Sequence, residues 1–167
     1  MNTQKTTRLL CQTAAFAAMI YLCTALLHIP SHTGYTHVGD GVLFLAACLL
    51  PAPYAAAAGA VGAGLADLLG GYALWMPATI VIKSVTAFFF SRSTDRIICP
   101  RNLAALLPAW TVCIVGYYAY ESLITGNWVA PMAGIPGYIT QSALSTVVFV
   151  VLGGVLTPLR KRIFSPS

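Results

Sequence analysis

Three charged side chains, Asp67, Lys83 and Glu121, lie inside long apolar stretches of this chain. A charged side chain at the centre of a bilayer costs at least about 2.5 kcal/mol, so each of them should be buried in protein or face a cavity. Ionisable residues in such positions are commonly functional, as parts of a binding site or of a proton-transfer pair. These three residues are therefore the first candidates for a functional site.

Further polar and aromatic residues are predicted at the same depth. With a rise of 1.5 Å per residue, Lys83 lies ~9 Å below its predicted helix end, and Glu121 and Gln141 each lie ~7 Å below theirs. A pocket with aromatic walls and a few hydrogen-bonding groups is typical of a small-molecule site. The candidate substrate-binding residues are Asp67, Trp75, Lys83, Tyr117, Glu121, Asn127, Trp128, Tyr138 and Gln141, with His37 from the first loop.

Most of these residues also have a purely structural interpretation. Asp67 and Lys83 could form an ion pair that only stabilises the fold. Gln141 and Tyr138 could hydrogen-bond to neighbouring helices, and the two tryptophans could belong to the aromatic belt of a membrane protein. Glu121 has no evident partner other than Lys83, so a functional role is favoured for it.

Catalytic chemistry is poorly supported by the sequence. It has no G-x-S-x-G, no H-E-x-x-H and no phosphate-binding glycine loop. The five cysteines form no C-x-x-C pair and are expected to be small apolar residues. His28, His32 and His37 surround the first predicted loop, where a gate or ligand contact by His37 is favoured over a zinc site. We expect no catalytic residue, no cofactor and no metal.

The overall composition is that of a membrane protein. Of 167 residues, 58% are hydrophobic and 8% are charged, and the mean hydropathy is +0.80. The net charge of +5 does not indicate a nucleic-acid partner, because the basic residues form no patch. The short length and the lack of a linker predict one integral membrane domain over residues 1–167.

Six apolar segments predict an all-α membrane protein with six transmembrane helices. These are residues 8–28, 39–51, 54–69, 77–91, 103–124 and 135–159, with a polar loop at 30–38. Lysine and arginine occur near both termini and in the loop 92–102, and are absent from the alternate loops. By the positive-inside rule, both termini are cytoplasmic and the candidate site opens on the other side.

Small residues recur every four positions in the third predicted helix. The two series are Ala58, Gly62, Ala66 and Gly70, and Ala55, Gly59 and Ala63. Such series let neighbouring backbones approach closely, so we expect this helix at the centre of the bundle. Ala14 and Ala18 form a shorter pair in the first helix, which could face another helix of this chain or of a partner protein.

Three motifs resemble those of the substrate-binding S components of energy-coupling factor (ECF) vitamin transporters. They are H-x-G-D at 37–40, A-D-L-x-x-G-Y at 66–72 and P-x-T-x-x-I-K at 77–83. The resemblance covers about residues 9–92 and is closest to the branch with hydroxymethylpyrimidine and riboflavin-type members. It implies a six-helix S-component fold in a prokaryotic plasma membrane, with capture of a vitamin or precursor from outside.

The resemblance also implies partners and site roles. An S component docks on a T component that carries two ATPase subunits, and Ala14 and Ala18 match the docking surface. Segment 30–38 matches the substrate gate. Hydroxymethylpyrimidine, pyridoxine and thiamine are expected first and riboflavin second, because Glu121 can accept hydrogen bonds from ring amino groups. A small intramembrane enzyme using Glu121 and Lys83 as acid and base, and a structural subunit without ligand, remain open.

Overall fold

The fold, taken from a computed structural model, is described for residues 3–30, 35–94 and 96–158. Over these residues the helices are α1 Thr3–Ala25, α2 Gly39–Leu49, α3 Ala52–Leu69, α4 Met76–Ala87, α5 Pro100–Ala104, α6 Leu106–Thr125 and α7 Ile135–Leu156, with a 3₁₀ helix at Ala130–Gly134. Two short strands, β1 His28–Pro30 and β2 Tyr35–His37, pair in antiparallel fashion. His32, the predicted helix end at 159 and the basic residues 160–162 lie outside the described residues.

Four helical segments are long and apolar enough to cross a membrane. They are Thr3–Ala25, Ala52–Leu69, Pro100–Thr125 and Ala130–Leu156. The remaining apolar helices, α2 and α4, have 11 and 12 residues, whereas a spanning helix needs about 20. The helical membrane bundle is thus confirmed, while the count of six crossings stays a prediction.

Segment 28–37 differs from its prediction. The first helix was expected to reach His28 and the polar segment to form a loop, but α1 ends at Ala25 and the paired strands β1 and β2 follow. We call these two strands the hairpin. Pro30 disfavours helical backbone at the preceding residue and pushes it towards extended conformation. The extended residues His28–Pro30 then pair with Tyr35–His37.

The most fully buried helix is α2, while the third helix, which was expected to be central, packs against α1, α2 and α4. All eleven residues of α2 are buried, whereas α3 exposes Val61, Leu65 and Leu68 along one side. A helix that is apolar all round is typical of a fully buried position. Asp40 is the charged residue in this otherwise apolar helix, and it forms an ion pair with Lys83.

The small residues of α3 do allow the close packing that was predicted. A Cβ atom added to Gly62 would lie 2.5 Å from the backbone oxygen of Ala17 on α1, and one added to Gly59 would lie 2.7 Å from Leu43 on α2. Helices α1 and α3 therefore pack with their backbones close together. Ala14 and Ala18 lie on another side of α1 and are exposed, so no described part of the chain covers them.

Candidate functional site

A cavity of about 350 Å³, including its open mouth, lies where β2 meets the end of α3 and the start of α4. Helices α6 and α7 complete its wall. The lining consists of Tyr35, His37, Asp67, Tyr72, Trp75, Thr79, Tyr117, Tyr138 and Gln141. Five of these are tyrosine or tryptophan, so the lining is mainly aromatic with few directed polar groups, as expected for a small-molecule site.

Aromatic pairs build two sections of this wall. The rings of Tyr117 on α6 and Tyr138 on α7 are stacked, with centroids 5.3 Å apart and planes at 20°. On the other section, Tyr35 lies 4.6 Å from Tyr72, whose ring meets Trp75 edge-on at 6.3 Å. Flat aromatic faces of this kind suit a planar ring that stacks between or on them.

Asp67 joins the hairpin to α3. Its side chain is buried, with 4% of the residue exposed, and its Oδ1 accepts a hydrogen bond from the Tyr35 hydroxyl at 2.5 Å. The phenol O–H of Tyr35 is the donor, because an ionised carboxylate oxygen can only accept a hydrogen bond. Among the described residues, Oδ2 of Asp67 has no hydrogen-bond partner.

The buried lysine pairs with Asp40 and not with Asp67, the partner that the structural interpretation of the sequence offered. Lys83 Nζ lies 2.8 Å from Oδ1 and 2.9 Å from Oδ2 of Asp40. Gln141 Nε2 donates to the same Oδ2 at 2.9 Å. Lys83 Nζ also lies 5.2 Å from the ring centroid of Tyr117. Lys83 and Asp40 are outside the cavity lining, but each contacts a residue that belongs to it: Lys83 lies over the Tyr117 ring, and Asp40 accepts from Gln141.

Six of the ten predicted site residues line the cavity, and the other four do not. Lys83 pairs with Asp40, as above. Glu121 is buried and accepts a hydrogen bond from the Tyr138 hydroxyl at 3.0 Å, so it supports a lining residue. Asn127 Oδ1 accepts from the backbone N–H groups of the next turn at 2.8 and 3.2 Å. Trp128 is 55% exposed, and its backbone oxygen accepts from Tyr118.

Sequence reasoning assigned no role to four residues that the structure brings to the site. Tyr72, Thr79 and Asp40 all stand in the three motifs quoted above, so the motifs were the available signal. No signal in the sequence pointed to Tyr35, because it lies outside the three motifs and the hairpin was not predicted. Thr79 and Tyr117 share a hydrogen bond at 2.9 Å between their hydroxyls.

His37 connects the cavity to the start of α2. Its Nδ1 accepts a hydrogen bond from the backbone N–H of Gly39 at 3.1 Å, which fixes the imidazole at the first turn of α2. Over the part of the chain that the structure describes, no three His, Cys, Asp or Glu side chains are grouped to hold a metal ion. The side chains that line the cavity can stack on a planar ring and form hydrogen bonds with it.

Comparison with known proteins gives the family. The model of the ECF-type riboflavin transporter S component matches residues 4–158. A protein from Pyrococcus woesei described as "Uncharacterized protein in gap 3'region" is 29% identical over 138 residues, which are 81% of this chain and 88% of that protein. The chain therefore belongs to the ECF-type riboflavin transporter S component family, and it is a multi-pass prokaryotic membrane protein that serves as a substrate-binding transporter subunit and not as an enzyme.

Proposed function

We propose that this subunit captures a small planar vitamin or vitamin precursor of the hydroxymethylpyrimidine, pyridoxine and thiamine class. The observation that carries the proposal is the aromatic lining of the cavity, in which five of nine residues are tyrosine or tryptophan. Small-molecule sites are typically lined by apolar and aromatic side chains with a few polar groups. A one- or two-ring heterocycle can stack on these rings while its polar groups reach Asp67 or Gln141.

Riboflavin is the second candidate, and the family supports it. The description of the matching family names riboflavin transporters. The stacked rings of Tyr117 and Tyr138 also offer a flat face for a large ring system. Riboflavin has three fused rings, so it would cover more of the aromatic wall than a single pyrimidine ring. The two candidates therefore differ in the ligand size that the site accepts.

The proposed membrane topology has six crossings, with both termini in the cytoplasm. Helix α2 is too short to span alone, but it is buried on every side, and non-helical backbone is tolerated at membrane depth where protein surrounds it. The hairpin before α2 and the turn after it can complete this crossing. With Lys5, Arg8, Arg92 and Arg101 on the cytoplasmic side, the cavity opens to the outside.

The proposed partners are a T component and two ATPase subunits, since S components of this family serve such transporters. The proposed docking surface is the side of α1 that carries Ala14 and Ala18, both of which are exposed. Small side chains there allow a partner helix to approach closely. In this proposal residues 1–167 form one membrane domain, and the ATPase subunits supply the energy for transport.

The experiment is a binding panel on the purified protein in detergent. Hydroxymethylpyrimidine, pyridoxine, thiamine and riboflavin are added separately, and thermal unfolding and calorimetric titration are recorded for each. A ligand present at 100 times its Kd should stabilise the protein by ~2.7 kcal/mol. Stabilisation by a member of the first three supports the proposal, and stabilisation by riboflavin alone supports the second candidate. No response to any of the four would contradict both.

A further inference from the structure

We propose that Asp67 is the residue that selects the substrate, by accepting a hydrogen bond from an amino group on the substrate ring. This inference rests on the proposed function and makes it narrower. It favours an aminopyrimidine, such as hydroxymethylpyrimidine or the pyrimidine half of thiamine, over a ring without an amino donor. It also disfavours phosphorylated vitamins.

The first observation is an unused acceptor in the wall of the cavity. Asp67 lines the cavity, only 4% of the residue is exposed, and its Oδ2 has no hydrogen-bond partner within the described residues. The other oxygen, Oδ1, is held by Tyr35, so the carboxylate is fixed in orientation. Thr79 influences the charge of this carboxylate, but its hydroxyl forms a hydrogen bond with Tyr117 and none with Oδ2. Buried carboxylate oxygens are normally paired, so this one requires a donor.

The second observation is the distribution of charge around the cavity. The lining contains Asp67 and no lysine or arginine. Lys83 is buried, and its Nζ contacts both oxygens of Asp40. The charges of Lys83 and Asp40 therefore offset each other, and Asp67 remains as the acidic group of a lining that contains no lysine or arginine. Such a site attracts donors and cations and repels phosphate.

The third observation is the chemistry of the free oxygen. A carboxylate oxygen only accepts hydrogen bonds, and each one has room for about two. Carbonyl and ether groups cannot satisfy it, because they also only accept. An exocyclic amine on an aromatic ring lies in the ring plane, so it can reach Oδ2 while the ring stacks on the tyrosines of the wall. An aminopyrimidine combines both requirements in one small molecule.

The test compares two ligands on two proteins. Wild type and Asp67→Asn are titrated with hydroxymethylpyrimidine and with its analogue in which hydrogen replaces the amino group. Asparagine keeps the size of the side chain and a carbonyl oxygen for Tyr35, but it loses the negative charge. We expect removal of the amino group to weaken binding to wild type about tenfold or more. Asp67→Asn should weaken binding of the amino ligand by a similar factor.

The combination of both changes identifies the contact. If the amino group and Asp67 interact directly, removing the second partner costs little once the first is gone. The analogue should therefore bind wild type and Asp67→Asn with nearly equal affinity. Tyr118→Phe is the control, because the Tyr118 hydroxyl bonds to the backbone oxygen of Trp128, away from the cavity. It should bind both ligands as wild type does.

Each result has one meaning. Equal binding of the two pyrimidines by wild type, or undiminished binding of the amino ligand by Asp67→Asn, overturns the role of Asp67 while the capture of a vitamin stands. Binding of riboflavin with no binding of either pyrimidine overturns it as well. If wild type binds none of the vitamins, the proposed function itself fails. Should Asp67→Asn not fold, the comparison of the two ligands on wild type still decides.

Discussion

Lys83 holds Asp40 by both carboxylate oxygens, with Nζ 2.8 Å from Oδ1 and 2.9 Å from Oδ2. The pair joins α4 to the buried helix α2, and Gln141 extends the connection to α7. A buried charge pair repays its desolvation only where geometry and hydrogen bonding are good. Here an ion pair and two hydrogen bonds reach one carboxylate, so the group holds α2, α4 and α7 together beside the ligand cavity.

Removing the lysine should therefore destabilise the fold strongly. Lys83→Met leaves the Asp40 carboxylate buried without its cation, which typically costs about 3–5 kcal/mol. Thermal or denaturant unfolding in detergent measures the loss. Lys5→Met is the matched control, because Lys5 is exposed on the first turn of α1 and should change stability by less than about 0.5 kcal/mol. Similar unfolding curves for the two variants would contradict a structural role for the pair.

Tyr35→Phe should separate the hairpin from α3 without unfolding the chain. The variant loses the hydrogen bond to Asp67 but keeps the ring contact with Tyr72. A hydrogen bond to a charged group is worth about 1.5–3 kcal/mol. We expect a lower free energy of unfolding. We also expect a faster release of ligand, measured as the dissociation rate by stopped-flow fluorescence.

The control for this variant is another tyrosine that loses one hydrogen bond. Tyr118→Phe removes a bond to the Trp128 backbone, which lies outside the cavity lining. Its unfolding temperature should fall slightly while ligand release stays as in wild type. If both variants release ligand at the wild-type rate, the contact between Tyr35 and Asp67 only stabilises the fold.

Glu121→Gln should have a modest effect on ligand affinity. From sequence alone Glu121 was the leading ligand contact, but in the structure it accepts a hydrogen bond from Tyr138 and is not part of the lining. Glutamine keeps an oxygen that can accept the same bond, so only the charge assistance is lost. We expect affinity to fall less than about tenfold, which is 1.4 kcal/mol. A calorimetric titration showing a larger loss would place Glu121 in direct contact with the ligand.

The prediction that the cavity residues lie close together was possible because the rise per residue of a helix sets the depth of each side chain in the membrane. Asp67, Trp75, Tyr117, Tyr138 and Gln141 lie near helix ends on the same side of the membrane, and a fixed rise per residue makes their depths comparable. All five line one cavity. The small residues of α3 were equally informative, because close backbone approach depends on side-chain size and not on detailed geometry.

Pairings between helices could not be predicted in the same way. The depth of Lys83 is compatible with both Asp40 and Asp67, and the choice depends on how each helix is rotated about its axis. Tyr35 was missed because its position depends on pairing between two extended segments, which helical periodicity does not indicate. The full burial of α2 likewise depends on how the longer helices surround it.

The last prediction separates ligand capture from transport. Ala14 and Ala18 are exposed on α1, on a different side from Ala17, whose backbone lies against Gly62. A tryptophan at position 14 or 18 would hold a partner helix several ångströms away, so Ala14→Trp and Ala18→Trp should abolish ATP-driven uptake by the assembled transporter. Binding by the isolated subunit should be unchanged, because neither residue lines the cavity.

A third variant tells docking from internal packing. Ala17→Trp introduces the same side chain into the buried contact between α1 and α3, where only 8% of Ala17 is exposed, so it should destabilise the isolated subunit. Unfolding temperature, vitamin binding and uptake in reconstituted vesicles are measured for all three variants. If the variants at 14 and 18 unfold as Ala17→Trp does, this side of α1 packs internally. If they transport normally, the T component docks on another surface, because a tryptophan on the proposed surface cannot be accommodated between closely packed helices.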